Sequence, residues 1–138
     1  MTYNAPVNQI TDTLNDIARI DDLAATGGFP NFDGDLIAPI LDEANKLARD
    51  VLSPLNPIGH KHGVKLTDAG VISAPGFSDA YARFREGGWM GLAFPEEFGG
   101  QGLPKTMALA VMEMMHAANM AFALCPLLTF GAIEAILE

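Results

Sequence analysis

The feature that most limits how this chain can fold is its C-terminal quarter, where positive charge disappears. After Lys105 there is no lysine or arginine, and the last 33 residues carry only three charged side chains, Glu113, Glu134 and Glu138. Five of the seven methionines also fall between positions 107 and 120. A segment with so little charge does not suit a solvated surface. We therefore expect it to be buried in a core or covered by another part of a protein.

The acidic side chains lie at the other end of the chain. Residues 1–50 hold nine acids and three bases, which accounts for −6 of the total charge of −9. This balance argues against nucleic acid and against anionic lipid as partners, since both attract clustered positive charge. A single cysteine, Cys125, excludes an internal disulfide, and the N-terminus lacks the pattern of a signal peptide. We expect one cytoplasmic domain from 138 residues.

Hydrophobic spacing predicts an all-α fold. A first helix over residues 6–18 places Ile10, Leu14 and Ile17 on one stripe. A second, clearly amphipathic helix covers 34–52, with Asp33 or Asp35 as its N-terminal cap. Two prolines, Pro54 and Pro57, are expected to end it. Residues 53–75 are rich in Gly, Pro, His and Asp and predict an irregular surface segment without a β-hairpin.

The second half of the chain predicts three more helices. The third covers about 76–86 and buries Phe77, Ala80, Tyr81 and Phe84, and a structured glycine-rich loop follows it. The fourth, about 104–118, is apolar on nearly every side and should be a central buried helix. We expect Pro126 and Gly131 to break the chain after it, so that a fifth helix begins at Ala132. That helix ends without a cap, which suggests the front part of a longer protein.

Several local patterns could carry chemistry, and for each one a structural interpretation is favoured. The pair Glu113 and His116 has the spacing of di-iron helices, but such sites need a second pair and two more glutamates. Residues 99–102 match no phosphate-loop or dinucleotide pattern, so a loop with positive φ at its glycines is expected. His60 and His62 lack a third and fourth ligand for zinc, and Cys125 has no basic group nearby that would activate it as a nucleophile. Glu96 and Glu97 are adjacent in a turn, so their side chains should diverge rather than form an acid–base pair. We predict no catalytic residue and no metal site.

The apolar run over residues 120–137 has nearly the length of a membrane span. It is interrupted by Pro126, Gly131 and Glu134, and no basic residue flanks it. We therefore favour a buried core segment or an interface between subdomains over a membrane span.

A longer pattern resembles a known family. Residues 88–104 read Gly-Trp-Met-Gly-Leu-Ala-Phe-Pro-Glu-Glu-Phe-Gly-Gly-Gln-Gly-Leu-Pro. This segment resembles a signature of the acyl-CoA dehydrogenases, in which a Pro-Glu-Glu-aromatic-Gly-Gly-x-Gly loop leads into a long buried helix. The following Met-Glu-Met-Met-His-Ala-Ala-Asn at 112–119 is similar to that helix. Phe-Gly-Ala-Ile at 130–133 resembles the short helix that precedes Gly-Thr/Ser-x-x-Gln-Lys in the family.

The resemblance covers about residues 35–138, and residues 1–34 add an extension with one helix. With Ser-Pro-Leu-Asn-Pro-Ile-Gly at 53–59, this extension resembles a bacterial subgroup close to the methylthiopropionyl-CoA dehydrogenases. His60 stands where that subgroup usually has Asp. The implied fold is a helical bundle like the family's N-terminal domain, incomplete at its C-terminus and ending before the middle β domain.

The resemblance also implies an activity. The family's members are FAD-dependent flavoproteins of fatty acid metabolism, oxidoreductases that convert acyl-CoA to trans-2-enoyl-CoA. In them a glutamate of a C-terminal domain removes the α-proton, the flavin accepts the β-hydride, and most FAD contacts lie outside the N-terminal domain. These 138 residues alone are therefore expected to be inactive. The implied partners are acyl-CoA, an electron-transfer acceptor, the remaining domains and further copies of the same protein.

By the same resemblance, one wall of the acyl-chain pocket falls on six residues, Phe122, Ala123, Leu124, Leu127, Leu128 and Gly131. An apolar wall suits a fatty acyl tail, and excluding water would protect hydride transfer. The alternative is that these six are ordinary core residues. A second functional class also stays open, a stand-alone helical module whose apolar 106–137 surface binds a partner or an acyl chain.

Overall fold

Helices make up most of the structure, as the hydrophobic spacing predicts. The computed structural model describes residues 3–138. Within them lie seven α-helices: α1 Val7–Asp12, α2 Ile20–Ala25, α3 Ile37–Leu47, α4 Ser53–His62, α5 Phe77–Glu86, α6 Lys105–Ala118 and α7 Met120–Leu137. Two π turns, Thr13–Ile17 and Ala48–Leu52, extend α1 and join α3 to α4. Short 3-10 turns lie at Gly34–Leu36, Trp89–Gly91 and Glu96–Phe98. The all-α prediction is confirmed.

The core forms between α3 and α6. The buried side chains of α3 recur at helical spacing and include Ile37, Leu41 and Ala44. Seven residues of α6 are buried, Met107, Ala108, Ala110, Val111, Met114, Met115 and Ala118. The predicted central helix is therefore confirmed. The predicted cap is also present, because the Asp33 carboxylate accepts a hydrogen bond from the Asp35 N–H at 2.9 Å ahead of α3.

The prediction that Pro54 and Pro57 end the second helix is wrong. The chain stays helical through the π turn Ala48–Leu52 into α4, and Pro57 lies inside α4. A proline ring collides with the carbonyl four residues before it, and the wider π turn ahead of Pro54 gives that ring space. Pro54 lies in the first turn of α4, directly after that π turn.

A small hairpin replaces part of the predicted irregular segment. Strands β1 Lys65–Thr67 and β2 Gly70–Ile72 pair antiparallel, with Leu66 opposite Val71. The sequence lacks the Asn-Gly or Asp-Gly turn that usually identifies a hairpin. Here the turn contains Asp68-Ala69-Gly70, so the glycine stands one residue further along than in an Asp-Gly turn, and it has a positive φ of 109°. The Thr67 hydroxyl donates to the Gly70 carbonyl at 2.9 Å.

The first helical segment also departs from its prediction. Ile10 and Leu14 are buried, but Ile17 is 78% exposed. Because Thr13–Ile17 is a π turn, its wider spacing rotates Ile17 away from the stripe that a regular α-helix would continue. The short helix α2, which begins at the buried Ile20, was not expected from the sequence.

The third helix agrees with its prediction in position and departs from it at one residue. α5 buries Ala80 and Phe84, and Phe77 packs against the core. Tyr81 is exposed rather than buried. The centre of its ring lies 6.3 Å from that of the buried Phe84, on which it stacks. The aromatic packing of α5 therefore extends from the core to the surface.

The largest correction concerns the end of the chain. A helix break at Pro126 and Gly131 was expected, but α7 runs without interruption from Met120 to Leu137. A proline removes one hydrogen bond and does not end a helix by itself when the residues on both sides favour helix. The Pro126 ring is also fully buried, so its packing offsets part of that loss.

Candidate functional site: the outer face of α7

One side of α7 is uniformly apolar and exposed. It consists of Met120, Leu124, Leu127, Leu128, Gly131 and Ala135, which recur at spacings of three and four and so share one face. We call this set the outer face. Leu128 is 77% exposed, and a Cβ added to Gly131 would meet nothing within 4 Å. Only 17% of the helix is buried within residues 3–138.

The structure divides the six predicted pocket residues into two groups. Phe122 and Ala123 are buried in the domain core, as in the ordinary-core interpretation. Leu124, Leu127, Leu128 and Gly131 all belong to the outer face. The six therefore do not line one cavity of this chain. The expectation that residues 120–137 form a buried core segment is wrong, and an interface remains the interpretation that fits the exposure.

The opposite side of α7 borders an apolar groove of about 490 Å³. Its walls come from α5, from α7 and from the hairpin side, and include Val64, Phe77, Tyr81, Phe122 and Cys125. The centre of the Phe122 ring lies 6.4 Å from the ring centre of Phe77 and 5.9 Å from that of Phe84. Of the six predicted residues only Phe122 reaches this groove. The sequence signal for the groove was the pair of aromatic residues Phe77 and Tyr81, which lie one turn apart on α5.

A second groove of about 320 Å³ lies further along α7. It is bounded by Tyr81 and Arg85 of α5, by the glycine-rich loop, and by Thr129 and Ile133 of α7. Beside it the Phe94 and Phe130 rings lie 4.8 Å apart. An ion pair between Lys105 and Glu134 joins the start of α6 to the last turns of α7. These contacts fix α7 against the domain and leave its outer face free.

The glycine-rich loop is closed by its own backbone. The amides of residues 99–103 all donate within the loop, for example Gln101 N–H to the Gly91 carbonyl at 2.8 Å. A Cβ on Gly100 would lie 2.1 Å from the Phe94 carbonyl oxygen, so only glycine fits there. Gly99 and Gly102 have positive φ, 82° and 63°, as predicted. With its amides already paired, this loop offers no cradle for the diphosphate of FAD.

The other chemical candidates remain isolated in the structure. Among residues 3–138 no group of three or more His, Cys, Asp or Glu side chains converges on a metal-sized site. The His116 ring nitrogen Nδ1 lies 2.7 Å from the Met112 carbonyl. Glu96 accepts from Asn31, and Glu97, His60, His62 and Cys125 are exposed.

Burial, and then the negative charge of Glu113, raises the pKa of the Tyr3 hydroxyl.

Comparison with known proteins agrees with this architecture. The family described as acyl-CoA dehydrogenase, N-terminal domain, matches residues 40–138, which run from α3 to the end of α7. The chain belongs to the acyl-CoA dehydrogenase family. The resemblance in the glycine-rich loop is thereby confirmed, and α7 is a helix of the family domain.

A curated relative supports the same assignment. The chain is 35% identical over 136 residues to 3-methylmercaptopropionyl-CoA dehydrogenase from Ruegeria pomeroyi. The alignment covers 99% of this chain and 23% of that relative, so this acyl-CoA dehydrogenase domain spans about a quarter of the relative's length. The predicted similarity to the methylthiopropionyl-CoA dehydrogenase subgroup is confirmed.

By length and composition α7 could cross a membrane, and it is the one helix of residues 3–138 for which this holds. The acyl-CoA dehydrogenase family domain includes this helix, and its ion pair with α6 is a contact within the domain.

Proposed function

We propose that this chain is the N-terminal helical domain of an FAD-dependent acyl-CoA dehydrogenase that oxidises acyl-CoA to trans-2-enoyl-CoA. The observation that carries the proposal is the outer face of α7. Six neighbouring positions on a rigid helix carry neither charge nor hydrogen-bonding side chain, yet lie in contact with solvent. Such a face suits contact with an acyl tail and with apolar parts of the remaining domains.

In this proposal the domain's own residues exclude water and shape one wall. Leu124 lies one helical turn before the adjacent Leu127 and Leu128, so the three branched aliphatic groups form a continuous apolar surface suited to the methylene chain of a fatty acyl group. Gly131 leaves a space among them, since no atom lies near its missing Cβ. FAD, bound chiefly by other domains, would accept the hydride from the β-carbon. The catalytic base is likewise assigned to another domain.

The proposed partners are acyl-CoA, an electron-transfer acceptor, the remaining domains and further copies of the same protein. The test uses the full-length gene product that contains this chain, with the 138-residue chain as comparison. Under anaerobic conditions, acyl-CoA should bleach the flavin absorbance of the longer protein and leave the 138-residue chain unchanged. No flavin in the longer protein would instead favour the stand-alone binding module.

The role of the outer face is tested with a matched pair of variants in the longer protein. Leu128→Asp places a charge on the outer face and should raise KM for acyl-CoA by at least about tenfold. Leu66→Asp changes an equally exposed leucine, 84% exposed on the hairpin, and should leave KM unaltered. Equal kinetics in both variants would contradict the assignment of the outer face.

A further inference from the structure

The turn between α6 and α7 consists of one residue, and that residue is polar and fully buried. Asn119 is 0% exposed and has an extended backbone, φ −157° and ψ 91°. Its own N–H donates to the Met115 carbonyl at 2.9 Å, and its carbonyl accepts from the Ala123 N–H at 3.0 Å. The last turn of α6 and the first turn of α7 are therefore joined through this residue without a loop.

The Asn119 side chain makes two further bonds in opposite directions. Its oxygen Oδ1 accepts from the Phe122 N–H at 3.1 Å and caps α7. Its nitrogen Nδ2 donates to the Leu52 carbonyl at 3.1 Å. Leu52 ends the π turn that joins α3 to α4, 67 residues earlier in the chain. One amide thus links the start of α7 to the junction of α3 and α4.

An amide suits both demands at this position, because its acceptor oxygen and its donor nitrogen are separate atoms. Serine, threonine and aspartate all supply an oxygen for the cap. A serine or threonine hydroxyl has only one oxygen for both bonds, and an aspartate would place negative charge against the Leu52 carbonyl. The residues held by the Asn119 backbone and cap are Phe122 and Ala123, the first two of the predicted pocket wall.

We propose that Asn119 is a positioning residue that sets the position of the outer face of α7, the side proposed to contact the acyl chain. The inference rests on the proposed function. Loss of the bond to Leu52 would let the start of α7 move relative to α4. The outer face would then shift relative to the acyl tail and the domains that contact it, and the preferred acyl chain length would change. The residue acts through α7 and touches no reacting atom.

The test uses variants of the full-length gene product and a series of acyl-CoAs of increasing chain length. Asn119→Asp and Asn119→Ser both keep an oxygen for the cap and lack the Nδ2 group that donates to the Leu52 carbonyl. The serine variant is uncharged and serves if the aspartate variant does not fold. Asn45→Ala is the matched control. Asn45 is also buried, and it bonds the Ala5 N–H at 2.9 Å and Asn4 at 3.2 Å on the side of α3.

Both Asn119 variants should change the ratio of kcat/KM between short and long acyl chains by at least about fivefold, through KM, with kcat per bound flavin retained. Asn45→Ala should lower the midpoint of thermal unfolding and leave that ratio as it is. An unaltered ratio in both Asn119 variants overturns the inference. A wild-type protein that oxidises no acyl-CoA overturns the proposed function first, and the inference with it.

Discussion

The two last helices of this domain have similar composition and opposite environments. α6 and α7 are both predominantly apolar and are separated by one residue, Asn119. Seven of the 14 residues of α6 are buried, whereas α7 buries only Phe122, Ala123 and Pro126 among its 18. The methionines and alanines of α6 supply the core of the domain. Leu124, Leu127 and Leu128 of α7 lie instead on its exposed outer face.

The difference shows that apolar composition alone does not distinguish a core helix from an exposed one. A helix without a polar face is expected to be buried, and within residues 3–138 α6 meets this expectation whereas α7 does not. α6 is covered by α3, by the π turn Ala48–Leu52 and by α7 within the chain. The outer face of α7 is left exposed by residues 3–138. The predictions that follow separate these two kinds of apolar surface, beginning with the largest expected effect.

Truncation of one side chain on each helix should give very different losses of stability in the 138-residue chain. Met114 is 0% exposed, so Met114→Ala leaves a cavity and should lower the free energy of unfolding by about 2–5 kcal/mol. Leu128→Ala, at an exposed site, should change it by less than about 0.5 kcal/mol. Urea unfolding of both variants measures the difference. Similar losses would show that α7 is packed as deeply as α6.

A pair of glycines gives the next contrast. Gly100→Ala should lower the free energy of unfolding by about 3 kcal/mol, because the new Cβ would overlap the Phe94 carbonyl. Gly131→Ala should raise it by up to about 1 kcal/mol, because alanine is the better helix former and the site is open. Thermal unfolding of the 138-residue chain reports both. A destabilising Gly131→Ala would mean that the outer face is already covered.

Exposure of the outer face should make the 138-residue chain self-associate. Contiguous apolar surface of this kind favours association and binds hydrophobic dyes. Leu124→Asp combined with Leu128→Asp should reduce both dye fluorescence and the mass seen in sedimentation. Leu66→Asp on the hairpin is the control and should reduce them less. A monomer that binds no dye at high concentration would refute this prediction.

The smallest effect concerns the N-terminal segment that packs beside α6. The raised pKa of Tyr3 means that its neutral form is favoured in the folded state, first by burial and then by the charge of Glu113. This stabilisation is fully present below the usual tyrosine pKa of about 10 and is lost as pH rises through the folded-state value. Wild type should therefore lose stability above pH of about 10 more steeply than Tyr3→Phe. Parallel unfolding curves at alkaline pH would exclude this effect.

Much of the helical framework could be predicted from the sequence, because it depends on local spacing. The amphipathic α3, the buried α6 and the glycines with positive φ at 99 and 102 all follow from side-chain pattern and backbone sterics. The prolines were the main source of error. Pro54 and Pro126 were expected to end helices, but a π turn and tertiary packing accommodate them. Local propensity does not report such compensation.

The site was predictable only as a segment. The family resemblance identified residues 122–131 of α7 as the predicted wall, but spacing could not separate Phe122 and Ala123 from the exposed Leu127 and Leu128. That division depends on which side of α7 meets α5 and α6, a tertiary fact. Asn119 carried a signal as an N-cap residue before an apolar run. Its bond to Leu52, 67 residues away, had no sequence signal.

The assignment of α7 as an interface requires its outer face to be covered in the full-length protein. Leu128→Cys in the 138-residue chain and in the full-length gene product should be treated with a thiol reagent, with Leu66→Cys as control, and the labelled peptides quantified by mass spectrometry. This assignment predicts rapid labelling of position 128 in the short chain, at concentrations too low for self-association, and strong protection in the long one. It also predicts that added acyl-CoA slows labelling further, while position 66 reacts alike throughout. Equal reactivity of position 128 in both proteins would contradict it.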